Sequence, residues 1–202
     1  KDERLAPASM TKIMTMLLIM EALDTNKISL NDDVLISKNA ADMGGSQVFL
    51  EANSKIKVEQ LLKGIAIASG NDAAVAMAEY IAGTTDEFVK MMNNKVKTLG
   101  LKNTNFMNVH GLDVDNHYSS AYDMAQIAME LIKYEDILNY TSLYEDHLIK
   151  PDGSKTWLVN TNKLVRFYEG IDGLKTGYTS NAKYCLTATG KKNNIRFISV
   201  VM

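Results

Sequence analysis

Apolar positions near the start of the chain follow a helical rhythm. Met10, Ile13, Met14, Leu17 and Leu18 recur with the period of an amphipathic helix, and Glu21 follows them. Pro7 and Ser9 stand where such a helix starts. Val34-Leu35-Ile36 and Val48-Phe49-Leu50 read instead as short strands, parted by Gly44-Gly45. The helical period returns from Val58 to Ala68 and breaks at the turn chemistry of Ser69-Gly70-Asn71. It resumes from Asp72 to Ala82, where Gly83 supplies a C-terminal cap. Another helix spans Asp86 to Leu99 and closes at Gly100. Ser120-Ala-Tyr-Asp123 has the form of a capping box ahead of a helix over 121–133.

After about residue 155 the pattern turns to strands. Ile171 to Leu174 is one, and Tyr184 to Thr189 and Ile195 to Met202 flank a long turn over Gly190–Asn194. Apolar residues occupy both parities of the last two strands, which predicts a sheet covered by helices on both faces. The expected architecture is α/β: one domain over 1–202, with a helical lobe at about 13–150 and a sheet at about 155–202.

Composition removes several classes. A chain of 202 residues that is 46% hydrophobic and 23% charged can bury a core and is neither disordered nor fibrous. Its 22 basic and 24 acidic residues leave no basic footprint for a nucleic-acid partner. Cys185 is the lone cysteine, and no Cys/His cluster has metal-site spacing, so neither a disulfide, a metal nor a cofactor is expected. The apolar run Ile13–Met20 is too short to span a bilayer. The opening Lys1-Asp-Glu-Arg4 lacks an initiator Met and an apolar leader, and the chain closes inside an apolar strand. Truncation at both ends is therefore expected, with any membrane association residing in segments outside these 202 residues.

Three short motifs carry candidate chemistry. Ser9-Met-Thr-Lys12 is S-x-x-K, which puts both side chains on one helical face. A serine hydroxyl needs a base, and a lysine serves when burial or nearby positive charge lowers its pKa. About one S-x-x-K is expected by chance, and three occur. Ser69-Gly70-Asn71 is S-x-N, also present three times, but only this copy joins an apolar helix to a small-residue helix. Lys175-Thr176-Gly177 is K-T-G, for which composition predicts about 0.08 copies. The order S-x-x-K, S-x-N, K-T-G says more than any one of them.

In that order the motifs resemble the low-molecular-mass penicillin-binding proteins that are serine D-alanyl-D-alanine carboxypeptidases. The likeness extends through Arg4–Lys12, Ser46–Leu50, Ser69–Ala73, Phe106–Leu112, His117–Asp123 and Asp172–Thr179. It implies a β-lactamase/transpeptidase-like fold and removal of the terminal D-alanine from peptidoglycan stems through an acyl-enzyme, with β-lactams acylating the same serine. Ser9 becomes the nucleophile, Lys12 its base and Ser69 a proton relay to the leaving amine. Asn71 positions substrate, Lys175 and Thr176 bind its terminal carboxylate, and Gly177 lets its backbone approach. The N–H groups of Ser9 and Tyr178 form the oxyanion hole. The partners implied are a stem peptide ending in D-Ala-D-Ala and β-lactams, outside the cytoplasm of a bacterium.

The sequence departs from the family pattern at Lys183, where a glycine is commoner. Glu135-Asp-Ile-Leu-Asn139 resembles the motif that holds a deacylating water in class A β-lactamases, but it lies 64 residues after Asn71 and reads as a junction between helices. A β-lactamase and a non-enzymatic penicillin sensor are the alternatives. The three histidines, His110, His117 and His147, form no Ser-His pattern.

Overall fold

The computed structural model describes residues 1–202. A 3-10 turn, Ala8–Thr11, runs directly into helix α1, Lys12–Asp24. The sequence predicts an amphipathic helix, but α1 is buried nearly all round: Thr15, Met16, Ile19 and Met20 are covered as well as the expected stripe. Such a helix belongs in the centre of a core, and α1 is enclosed by α3 (Val58–Ala66), α4 (Asn71–Ala82), α5 (Thr85–Thr98) and α6 (Ala121–Leu131). Asn26, at φ 55°, ends α1, and the Lys27 N–H then bonds back to the Ala22 carbonyl.

The capping signals act as written, with one difference. Thr84 Oγ1 accepts from Glu87 N–H and Ser120 Oγ from Asp123 N–H. The Asp123 carboxylate, however, accepts from Asn103 N–H and Thr104 Oγ1, so it ties a preceding loop down and Ser120 caps α6 alone. Ahead of α3, strand β1 (Asp33–Leu35) pairs with β2 (Lys55–Lys57), with the short helix α2 (Lys38–Ala41) between them. Val48–Leu50 is not a strand. The Val48 and Leu50 N–H groups donate to the Asp72 carboxylate instead of a neighbouring strand, and Phe49 has φ 59°.

Glu135–Ile137 and α7 (Leu138–Thr141) form the expected helical junction. Strands then begin at Glu145, earlier than the sequence pattern indicates: β3 (Glu145–Ile149) and β4 (Lys155–Val159) form a hairpin turning at Pro151. Their half-exposed, polar-rich pattern hides them from a search for apolar strands. After α8 (Leu164–Phe167) comes an antiparallel sheet of β5 (Ile171–Thr179), β6 (Lys183–Lys192) and β7 (Ile195–Val201), in that order. K-T-G therefore lies inside β5, not at its end. The β6–β7 connection is a tight turn at Asn193-Asn194, both at positive φ, in place of the long turn expected.

One face of this sheet packs on the 3-10 turn, α1 and α6. The other exposes Tyr178, Tyr184, Ile195, Phe197 and Val201, so helices cover one face only and not the two that the apolar pattern predicts.

Candidate active site

Packing of β5 against the Ser9 turn brings the three motifs together. Gly177 makes this approach possible: a Cβ there would sit 2.9 Å from Ala8 Cβ and 3.1 Å from the Ser9 nitrogen. Its missing side chain thus makes room for the serine's own turn, a different use from the approach of substrate backbone that the resemblance implies. Gly111 supports the turn from another side. A Cβ on it would fall 1.8 Å from the Ala8 carbonyl oxygen, and its φ of 93° suits glycine alone. Between these two glycines Ala8 itself is held at φ 46°.

Ser9 lies in the 3-10 turn and Lys12 opens α1, one turn later. Lys12 is fully buried, and its Nζ lies 3.0 Å from Ser9 Oγ. The same nitrogen donates to Asn71 Oδ1 at 2.6 Å and to the His110 carbonyl at 2.8 Å. The Asn71 amide cannot be reversed without losing its Nδ2 donation to the Gly44 carbonyl at 2.7 Å. Burial pushes the Lys12 pKa well below the usual lysine range; the Lys175 charge pushes the same way and Asp72 opposes. A neutral amine has two N–H groups and one lone pair. The two carbonyl oxygens take both N–H groups, which leaves the lone pair facing the serine hydroxyl. That is the arrangement a general base requires.

Ser69 sits at φ 63° in the turn between α3 and α4 and is only 3% exposed. Its Oγ is the one buried side-chain nitrogen or oxygen in the molecule without a hydrogen-bond partner. A buried hydroxyl without a partner costs free energy, and this one lines the groove beside Ser9.

Lys175 is buried on β5, where its Nζ donates to the Thr176 carbonyl at 3.0 Å and burial lowers its pKa to about 7. Thr176 Oγ1 donates to Thr161 Oγ1 at 2.6 Å. The Tyr178 ring stands exposed against Tyr184, with centroids 4.7 Å apart. Together Ser9, Ser69, Thr161, Thr176, Gly177 and Tyr178 line much of a groove of about 610 Å³. Glu135 lies elsewhere. It borders a cleft of about 630 Å³ at the far end of α1, beside Asp24 and Tyr140.

The histidines take no part through their rings. His110 and His117 are buried, and burial is the main cause that lowers their pKa values to about 3 and about 4. His117 Nδ1 accepts from Met107 N–H, so Nε2–H donates to Thr11 Oγ1 at 2.8 Å. Several residues in this site carry no motif of their own: the His110 carbonyl, Gly44, Asp72, Gly111 and Thr161. Backbone carbonyls leave no mark in a sequence. Thr161 stands between Asn160 and Asn162, whose side chains hold the Thr141, Leu143 and Gly173 carbonyls, and its own N–H reaches Ile67. That Asn-Thr-Asn triplet is the signal that was available.

The family described as D-alanyl-D-alanine carboxypeptidase, peptidase family S11, matches residues 1–202. The chain is 64% identical over 200 residues to the D-alanyl-D-alanine carboxypeptidase DacF of Bacillus subtilis, covering 99% of this chain and 51% of that protein. It is 41% identical over 208 residues to DacA of Escherichia coli K12, covering 100% and 51%. The chain thus spans about half the length of these curated relatives. Among solved structures, penicillin-binding protein 5 from Haemophilus influenzae superposes with a TM-score of 0.93 at 40% identity, over 100% of this chain and 59% of that one. A point mutant of the Streptomyces K15 DD-transpeptidase gives 0.90 at 30% identity, over 99% and 82%. The fold is that of the penicillin-binding proteins and DD-transpeptidases, and the chain belongs to peptidase family S11, the D-alanyl-D-alanine carboxypeptidases.

Proposed function

We propose that the protein removes the terminal D-alanine from peptidoglycan stem peptides through an acyl-enzyme on Ser9. The observation that carries this reading is the buried Lys12 amine, 3.0 Å from Ser9 Oγ, with both its N–H groups engaged by Asn71 and His110. Lys12 takes the hydroxyl proton as Ser9 Oγ attacks the carbonyl carbon of the penultimate D-alanine. The N–H groups of Ser9 and Tyr178 receive the oxyanion, a type of contact worth on the order of 10²–10³ in rate per donor. The Lys12 ammonium returns that proton through the Ser69 hydroxyl to the departing amine, so D-alanine leaves as Lys12 becomes neutral again. Water then attacks the ester, giving a proton to Lys12, and Lys12 returns it to Ser9 Oγ as the shortened peptide's carboxylate leaves. The terminal carboxylate sits against Lys175 and Thr176, with Asn71 holding the peptide from the opposite wall and the peptide lying along the edge of β5.

β-Lactams acylate the same serine in this reading. Peptidoglycan lies outside the cytoplasmic membrane, so the reading calls for an extracytoplasmic location. Glu135, the one residue that invited a β-lactamase reading, borders the cleft at the far end of α1. The test is release of D-alanine from a peptide ending in D-Ala-D-Ala. The parent protein releases it and Ser9→Ala does not; equal release by both would remove Ser9 from the reaction.

A further inference from the structure

Residues 44–50 cross the wall of the groove as a strap without regular secondary structure. Its polar groups converge on the start of α4. The Ser46 carbonyl accepts from Asn71 N–H at 2.7 Å, and the Gly44 carbonyl accepts from Asn71 Nδ2 at 2.7 Å. Val48 N–H and Leu50 N–H donate to the Asp72 carboxylate at 3.0 and 3.1 Å, on either side of the left-handed Phe49, a residue 67% exposed. Ala73 N–H donates to the same carboxylate at 2.9 Å. Asp72 is fully buried, and no lysine or arginine is within ion-pair distance of it.

A carboxylate buried without a cation is costly. The first turn of a helix and three N–H groups offset that cost. Capping α4 would need only the bond from Ala73. The other two donors come from residues 24 and 22 positions earlier, and the strap they hold touches Asn71 with its own carbonyls. Gly45, at φ 79°, leaves no slack, because a Cβ there would meet Asn71 Nδ2 at 2.6 Å.

We propose that Asp72 is a positioning residue for the Ser9–Lys12 pair. Its carboxylate fixes the strap, the strap fixes the Gly44 carbonyl, and that carbonyl decides which end of the Asn71 amide faces Lys12. The amide oxygen then takes one N–H of Lys12 and aims the lone pair at Ser9. The inference rests on the reading of Ser9 as nucleophile and Lys12 as its base.

The test is the pH dependence of Ser9 acylation by benzylpenicillin in the parent, Asp72→Asn and Gly45→Ala, with thermal melting of each. Asp72→Asn should acylate about 10–100-fold more slowly at unchanged non-covalent affinity. Its acid limb should move to lower pH, because the Asp72 charge that supports the Lys12 ammonium is gone. The other titratable groups facing Lys12 are Lys175 and His110, and the substitution leaves them in place. Gly45→Ala should be slowed similarly with the limb unmoved, since its carboxylate remains. A purely structural Asp72 would lower the melting temperature and leave the plateau acylation rate unchanged, even though loss of its charge moves the limb. A folded Asp72→Asn with the parental plateau rate overturns the proposal, wherever its limb lies. If that variant does not fold, a parental rate in Gly45→Ala overturns it. An unlabelled parent would remove the assignment of Ser9, and the proposal with it.

Discussion

The two walls of the groove each bury a lysine, and they treat it differently. On the helical wall Lys12 Nζ meets three polar atoms, and two of them are carbonyls that can only accept. On the strand wall Lys175 Nζ meets one, the carbonyl of the next residue. Both pKa values are lowered, chiefly by burial. The difference lies in what remains free. Lys12 has its donors engaged and a lone pair aimed at a hydroxyl, which suits proton abstraction. Lys175 has donors to spare beside the exposed edge of β5, which suits an anion that arrives with the substrate. Burial alone does not give a lysine its role; the count of fixed acceptors around it does.

Removing each lysine in turn should separate the two roles. Lys12→Ala should slow acylation of Ser9 by about 10²–10⁴ with little change in non-covalent affinity, as loss of a general base does. Lys175→Ala should instead weaken binding of an anionic ligand, by about tenfold or more, since a charge-assisted contact is lost. Pre-steady-state acylation separates the two constants. Equal effects of both substitutions on both constants would dissolve the distinction. Affinity for the carboxylate should also fall as pH rises through about 7 in the free protein, where Lys175 loses its charge.

Acid should act on the histidines next. His110 and His117 are neutral when folded, with pKa values lowered from 6.5 to about 3 and about 4. Below about pH 6.5 the unfolded chain takes up these protons first, so stability is complete above that pH, falls as pH drops toward about 3, and levels off below it. At about 1.4 kcal/mol for each pH decade between the folded and unfolded values, the two histidines together cap the loss at about 8 kcal/mol. Urea unfolding at about pH 7 and about pH 4.5 measures it, and His117→Gln should flatten the difference.

The smallest effect concerns Lys183. Its φ of 60° explains why a glycine suits this position. Lys183→Gly should raise stability by about 1 kcal/mol by removing left-handed strain, a melting-temperature rise of about 2–4 °C in a chain of this size. An unchanged or lowered melting point would mean that the lysine side chain offsets its own strain.

The parts of the molecule that the sequence made legible share one property: they depend on local chemistry. Ser120 and Thr84 cap helices, and Gly83 and Gly100 end them, because those residues act on their own neighbours. The three motifs were legible because side chains with chemistry stand at fixed spacing. What stayed hidden depends on distant partners. Val48–Leu50 has the composition of a strand, yet its N–H groups go to Asp72, which no local pattern reports. The polar β3–β4 hairpin pairs through backbone groups that carry no side-chain signal. The uncovered face of β5–β7 has the same apolar pattern as a covered one, so alternation alone could not separate them. Within the site, the serines and lysines were readable, whereas the Gly44 and His110 carbonyls that orient them were not.

The measurement closest to the central claim is an intact-mass time course with a small excess of benzylpenicillin, followed by peptide mapping. One long-lived adduct is expected, on Ser9, formed by the parent and not by Ser9→Ala. An adduct on another residue, or none at all in folded protein, would contradict that claim.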